Sequence, residues 1–139
     1  MILFQGENPD EHASTAVRAA LAIAGKTAAA NAAIDDARKS HPPIQVNIGI
    51  GSGVSHVGST RIKGAAGERW TYTATGPVTN VGARLCGTAT EGQILLGPET
   101  AERLGGKFHL KYMGPVSLKN VCDPVEVWEA KPDRRTAPR

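Results

Sequence analysis

The chain has 139 residues, which is enough for one domain with a single core. Its formal net charge is +3, and part of that excess lies in the closing segment 131–139, which we expect to be a basic, disordered tail. The remainder has no basic stripe for nucleic acid, no membrane segment and no Cys/His cluster for zinc. We expect Cys86 and Cys122 to be free, at least half-buried thiols, and the chain to be cytoplasmic.

The first third is predicted to hold the end of a strand and one long helix. Residues 2–5 are a short apolar run, typical of a strand end. Residues 11–39 are rich in alanine, which favours helix. Asp10 is predicted to cap the start of this helix, and His41-Pro-Pro43 is predicted to stop it.

The middle third is predicted to form a hairpin, a loop and a further strand. Residues 44–50 alternate apolar and polar side chains, which indicates a strand with one buried face. Gly51-Ser-Gly53 has turn chemistry and residues 54–59 return, so these segments predict a hairpin. Residues 60–68 are polar and glycine-rich, which predicts a loop. Residues 70–75 are β-branched and aromatic, which predicts a strand.

The last third begins with a helix opened by Gly76-Pro77, because proline suits the first helical position. Val78, Val81 and Leu85 give this helix a buried face. The later elements are predicted in chain order as a strand at 93–96, a helix at 98–104 and strands at 108–112, 116–119 and 125–129. The sequence therefore predicts one α/β domain without internal repeats.

Three short motifs suggest chemistry that their contexts do not support. Gly25-Lys26-Thr27 is similar to the end of a P-loop but lies inside a helix and lacks the earlier glycine. Gly49-x-Gly51-x-Gly53 precedes a strand instead of a helix, so we interpret it as a hairpin turn. The adjacent carboxylates Asp35-Asp36 point about 100° apart on a helix, which indicates a solvated helix end.

The informative pair is Asn80 and Arg84. They are four residues apart, on one face of the helix near its positively polarised start. A guanidinium beside an amide at this place suits charge that builds up on a phosphate. An unremarkable surface Asn/Arg pair is the alternative that the residues alone leave open.

The stretch around this pair resembles class III nucleotidyl cyclases. Their pattern Tyr-Thr-x-x-Gly-Asp-x-Val-Asn-x-Ala-Ala-Arg-Leu is matched at 72–85 by Tyr-Thr-Ala-Thr-Gly-Pro-Val-Thr-Asn-Val-Gly-Ala-Arg-Leu. The resemblance extends to segments 10–21, 46–58 and 92–127 and covers roughly residues 1–130. It implies a partial cyclase domain: an α/β (α+β), ferredoxin-like nucleotide cyclase fold that lacks its first strands, with a mixed, mainly antiparallel sheet and helices packed on it.

The resemblance also implies roles for four residues in the conversion of a purine nucleoside triphosphate into a cyclic nucleotide. Asn80 would orient the ribose, and Arg84 would stabilise the α-phosphate in the transition state. Lys119 would hold the terminal phosphates. Thr73 would lie where the family reads the purine edge, and threonine there favours ATP over GTP.

Two departures from the family pattern bear on activity. Pro77 replaces an aspartate that is not a metal ligand in the family. The family binds two Mg²⁺ or Mn²⁺ ions through one aspartate on its first strand and another in the hairpin between its second and third strands. Met1-Ile-Leu-Phe4 resembles that third strand. We therefore expect the metal ligands to be absent from this chain, the chain alone to be inactive, and a homodimer or a second cyclase domain to complete it. An inactive module for dimerisation or regulation, and a true start upstream of Met1, are the alternatives.

Overall fold

The computed structural model describes residues 1–34 and 42–132. The predictions made for Asp35-Asp36, His41 and the tail from 133 onward lie outside these residues. In chain order the elements are α1 (Pro9–Ala33), β1 (Ile48–Ile50), β2 (His56–Gly64), β3 (Gly67–Thr75), α2 (Pro77–Thr88), β4 (Ile94–Leu96), α3 (Pro98–Leu104), β5 (Leu110–Val116) and β6 (Val125–Ala130). None of the helices in the described ranges is long and apolar enough to cross a membrane.

A mixed four-stranded sheet carries the core, in the order β1-β4-β6-β5. β1 and β4 run parallel, whereas β6 is antiparallel to both β4 and β5. Successive residues of β4 face opposite sides of the sheet, so Ile94 and Leu96 pack with α1 and α3, and Leu95 packs with α2. The predicted class, a mainly antiparallel mixed sheet with helices packed on it, is confirmed.

A core cluster lies between α2 and the sheet, beneath the helix that carries Asn80 and Arg84. Its buried members are Leu85, Ala89, Leu95, Leu118 and Val127. Leu85 has no exposed surface, while Val78 and Val81 are half-buried. The predicted buried stripe of this helix and its start at Gly76-Pro77 are therefore confirmed.

The start of the chain differs from prediction in two ways. Met1 and Ile2 are largely exposed and residues 2–5 form no strand, because no described strand lies alongside them to supply a ladder. Helix α1 is capped by Asn8, whose side-chain oxygen accepts the Asp10 N–H at 3.1 Å, so Asp10 is not the cap. Pro9 then takes the first helical position, where its missing N–H loses nothing.

Helix α1 ends at Ala33, earlier than the predicted end at residue 39. The alanines of its last turns are exposed and bury little surface, so packing does not extend the helix further. The Asn31 side chain instead binds both the N–H and the C=O of Ile44, at 2.9 and 2.8 Å. This pair of hydrogen bonds holds the incoming chain against the helix.

The predicted hairpin of 44–50 with 54–59 is wrong. β1 pairs in parallel with β4, and the hairpin is formed by β2 and β3, in register from His56↔Thr75 to Gly64↔Gly67. The predicted loop at 60–68 is thus strand for most of its length. Glycine content suggested a loop there, but cross-strand pairing along nine residues outweighs local preference.

Two further predictions are corrected. In place of the predicted strands 108–112 and 116–119 there is one strand, β5, which continues through an irregularity between Tyr112 and Gly114 and ends at Val116. Cys86 and Cys122 are free but exposed. The Cys86 thiol donates to the Asn47 carbonyl at 3.3 Å, and Cys122 lies in the loop before β6.

Candidate functional site

The start of α2 is joined to β3 by a single residue. Gly76 has φ +129°, a conformation that side chains rarely adopt. Ser55 fixes this junction because its hydroxyl donates to the Thr75 carbonyl at 2.9 Å and lies 3.5 Å from the Thr79 hydroxyl. The last residue of β3, the first turn of α2 and the segment before β2 are therefore tied together.

The middle of α2 lies directly on β1, backbone against backbone. A methyl group placed on Gly49 would lie 2.3 Å from both the Cys86 nitrogen and the Gly82 oxygen. One placed on Gly51 would lie 2.9 Å from the Val78 oxygen. The run of glycines is therefore neither a phosphate cradle nor a hairpin turn, and the interpretation as a turn is wrong. The glycines let a helix approach a strand closely.

Asn80 and Arg84 lie on α2, where the sequence predicted them. They are one helical turn apart, which puts their Cβ atoms about 5–6 Å from each other. The Asn80 N–H bonds to the Gly76 carbonyl at 3.3 Å, so Asn80 is in the first turn. Both side chains are exposed, and neither has a hydrogen bond or ion pair with any residue in the described ranges. The guanidinium of Arg84 is therefore available to a ligand.

Lys119 lies in the connection between β5 and β6. The Val121 N–H bonds to the Leu118 carbonyl at 3.1 Å, and Asn120 has φ +62°, so Lys119 is the second residue of a tight turn. Lys119 is exposed, whereas Leu118 is buried in the same cluster as Leu85 of α2. The turn that presents Lys119 is thus anchored to the underside of the helix that carries Asn80 and Arg84.

Thr73 is half-buried on β3, opposite Gly58 and three residues before Gly76. Its hydroxyl donates only a long hydrogen bond, 3.4 Å, to the carbonyl of the next residue. No contact in the described part of the chain joins the Thr73 side chain to Asn80, Arg84 or Lys119. Thr73 is connected to Asn80 and Arg84 through the backbone of the β3–α2 junction.

The family's divalent ions do not fit the residues described. Within residues 1–34 and 42–132, no group of three His, Cys, Asp or Glu side chains is arranged to hold a metal ion. The side chains singled out above are two cations, an amide and a hydroxyl, which suit phosphate and ribose oxygens better than they suit Mg²⁺.

Sequence reasoning missed the residues that hold α2 in place. Ser55 binds the backbone at the β3–α2 junction, and Gly49 and Gly51 lie against the backbone of α2. Only the two-residue spacing of Gly49 and Gly51 could have indicated this contact, because residues at this spacing lie on the same face of a strand.

The same residues lie within a match to a known family. The model of the adenylate and guanylate cyclase catalytic domain matches residues 1–130. The chain belongs to this family. The resemblance to class III cyclases noted over roughly residues 1–130 is therefore confirmed as membership.

Solved structures of cyclase domains share the fold. The adenylyl cyclase CyaB from P. aeruginosa has 23% identity and a TM-score of 0.82, with 96% of this chain and 66% of that chain covered. The guanylate cyclase domain of RhGC from Catenaria anguillulae, in complex with GTP, has 24% identity and a TM-score of 0.63, with 88% and 60% covered. A rhodopsin-guanylyl cyclase with converted specificity, in complex with ATPαS, has 24% identity and a TM-score of 0.66, with 88% and 59% covered. The chain thus spans between 59% and 66% of the length of these proteins.

Proposed function

We propose that this chain supplies the ribose- and phosphate-contacting part of a class III cyclase site that converts ATP into cyclic AMP and pyrophosphate. The observation that carries the proposal is the pair Asn80 and Arg84, exposed and unpaired among the described residues, one turn apart on a helix held rigidly against the sheet. A rigid helix suits this chemistry because positioning and charge stabilisation supply most of the rate.

Each residue has one role in the proposed reaction. The ribose 3′-oxygen attacks the α-phosphate, and pyrophosphate leaves. Asn80 holds the ribose through hydrogen bonds of its amide. Arg84 places its N–H groups on the α-phosphate oxygens as negative charge develops there. Lys119 neutralises the terminal phosphates, whose charge grows as they depart.

ATP is the proposed substrate in preference to GTP. Thr73 would face the purine edge, where a hydroxyl can donate and accept a hydrogen bond. The preference rests on the family resemblance, because the hydroxyl alone can accept from the exocyclic amino group of adenine or donate to the carbonyl oxygen of guanine.

The divalent ions are proposed to be held by a second, different cyclase domain, because another copy of this chain would repeat described residues that form no metal-binding group. When bound, they would activate the 3′-hydroxyl and neutralise pyrophosphate. We propose separately that the chain by itself forms a homodimer. The β2–β3 hairpin supports it, because Val57, Trp70 and Tyr72 lie on one face of an isolated two-stranded sheet and are 39%, 66% and 66% exposed. Two-stranded sheets are marginal in water unless covered.

The substitution Trp70→Ser is expected to weaken self-association at least about tenfold, since an aromatic hot spot buried in an interface contributes about 2 kcal/mol or more. Sedimentation equilibrium measures the dimerisation constant. Tyr112→Ser is the matched control, because Tyr112 is also a large exposed aromatic, 54% exposed, but lies on the four-stranded sheet. Equal dimerisation constants for Trp70→Ser and the unchanged chain would contradict the hairpin as the interface.

Product formation tests the function itself. Cyclic AMP is measured with ATP and Mn²⁺, for the chain alone and mixed with an intact class III cyclase domain whose own Arg at the matching position has been replaced. We expect no product from either protein alone and product from the mixture. A second mixture with Asn80→Ala in this chain is the control. Absence of product in the first mixture would contradict the complementing role.

A second candidate is a non-catalytic module of the same fold that serves dimerisation or regulation. Pro77, at a position where the family pattern has aspartate, favours it. Calorimetric titration with a non-hydrolysable ATP analogue separates the two functions. Binding that Arg84→Ala abolishes favours the catalytic part, and a dimer that binds no nucleotide favours the module.

A further inference from the structure

Asn47 lies immediately before β1, half-buried between the sheet and the end of α2. Its side-chain nitrogen donates to the Ala89 carbonyl at 2.7 Å, and its side-chain oxygen accepts the Gly92 N–H at 2.9 Å. Its main-chain carbonyl accepts from the Cys86 thiol at 3.3 Å. Both functional ends of the amide are therefore committed to the segment where α2 stops and turns toward β4.

This position matters because helix ends leave backbone carbonyls without partners. Ala89 is the residue that follows the last turn of α2, and Asn47 satisfies its carbonyl across 42 residues of sequence. The next residue adds a backbone hydrogen bond between the same two segments, because the Ile48 N–H bonds to the Gln93 carbonyl at 3.0 Å. The C-terminal end of the helix is thus fastened to the first strand of the sheet.

Residues 47, 49 and 51 are spaced by two, so they share the strand face that looks toward α2. Gly49 and Gly51 set how closely the helix approaches, at Gly82 and Val78 respectively. Backbone contacts such as these set the distance between the helix and the strand but add no hydrogen bond between side chain and helix. Of these three residues, Asn47 alone makes side-chain hydrogen bonds to the C-terminal end of the helix and the turn after it.

We propose that Asn47 is a positioning residue for nucleotide cyclisation: it holds α2 at one axial position and rotation, and so fixes where the Asn80 amide and the Arg84 guanidinium meet the nucleotide. This inference rests on the proposed function for the roles of Asn80 and Arg84. Displacement of a catalytic group by about 1 Å lowers turnover roughly 100-fold.

The first test is amide hydrogen exchange on the full chain, which needs no activity. In Asn47→Ala, amides in the second half of α2 and at 89–93 are expected to exchange at least about tenfold faster, because local opening loses two hydrogen bonds. Leu104→Val is the matched control. Leu104 is fully buried on the opposite face of the sheet, so its replacement by valine destabilises the core without changing a contact of α2. Exchange in α2 that is no faster in Asn47→Ala than in Leu104→Val would overturn the proposal.

The second test separates positioning from general stability through turnover in the mixture described above. Asn47→Ala is expected to lower kcat by about 10- to 100-fold, with KM for ATP changed by less than about twofold, because misplaced groups lose transition-state contacts first. Asn47→Asp is expected to recover little, since it keeps an acceptor for Gly92 but removes the donor to Ala89.

The outcomes of the two tests are distinguishable. If Asn47→Ala leaves kcat unchanged, whether or not KM rises, the positioning role of Asn47 is overturned while the proposed function stays intact. A mixture of unchanged proteins that makes no cyclic AMP would contradict the proposed function, and the exchange measurement would still decide whether Asn47 holds the helix.

Discussion

Gly49→Ala is expected to lower the free energy of unfolding by about 3 kcal/mol, near the upper end for overpacking a core. The added methyl would lie 2.3 Å from the Cys86 nitrogen and 2.3 Å from the Gly82 oxygen. Both are backbone atoms, so no side-chain rotation relieves the contact and α2 must move off β1. Thermal unfolding followed by circular dichroism should show a midpoint lower by roughly 10 °C.

Gly25→Ala is the matched control for this substitution. Gly25 lies in α1, where an added methyl would meet no atom within 4 Å. Replacing glycine by alanine in a helix interior stabilises by about 0.5–1 kcal/mol. The two glycine-to-alanine changes are therefore expected to move the midpoint in opposite directions. A midpoint for Gly49→Ala within a degree of the unchanged chain would mean that α2 can shift freely on β1, which would also remove the basis for the role of Asn47.

Helices α2 and α3 were predicted well from the sequence, because a glycine followed by a proline stands at the start of each. Helix α2 begins at Pro77 after a glycine with positive φ, and α3 begins at Pro98 after Gly97. Proline at the first helical position and glycine before it are local features, so they can be recognised without knowing the rest of the fold. Both helices start where they were expected.

The pairing of strands could not be predicted in the same way. Residues 44–50 and 54–59 have the pattern of a hairpin, yet β1 pairs with β4, 46 residues away in the register Ile48↔Ile94. Hydrophobic alternation shows which face of a strand is buried but not which strand lies beside it. The hairpin of β2 and β3 was hidden because glycines and charged residues at 60–68 suggest a loop when pairing is ignored.

The candidate site was predictable only where its residues follow one another on one helix. The i, i+4 spacing of Asn80 and Arg84 fixes their neighbourhood whatever the tertiary fold. The relation of Lys119 to them depends on Leu118 packing beneath α2, a contact between residues far apart in sequence. Asn47 and Ser55 escaped notice since their hydrogen bonds act on backbone groups, which any sequence possesses.

Arg84→Lys is expected to lower turnover in the mixture by more than about tenfold, and Arg84→Ala by about 100- to 1,000-fold. Lysine keeps the positive charge but loses the planar fork of N–H donors that can bind two phosphate oxygens at once. The free energy of unfolding should change by less than about 0.5 kcal/mol for both, because the Arg84 side chain is exposed and has no partner among the described residues. Initial rates of cyclic AMP formation at saturating ATP give the effect on kcat.

Arg18→Lys is the control that separates loss of the fork at the site from a general effect of arginine on the chain. Arg18 is exposed on α1, which packs on the face of the sheet opposite α2, and its replacement should leave turnover unchanged. If Arg84→Lys behaved like Arg18→Lys, the guanidinium would not contact the α-phosphate. The motif at 72–85 would then serve only to build the fold, and the non-catalytic module would be the better account of this chain. A selective loss at Arg84 with unchanged stability would instead require that the exposed face of α2 meets the nucleotide.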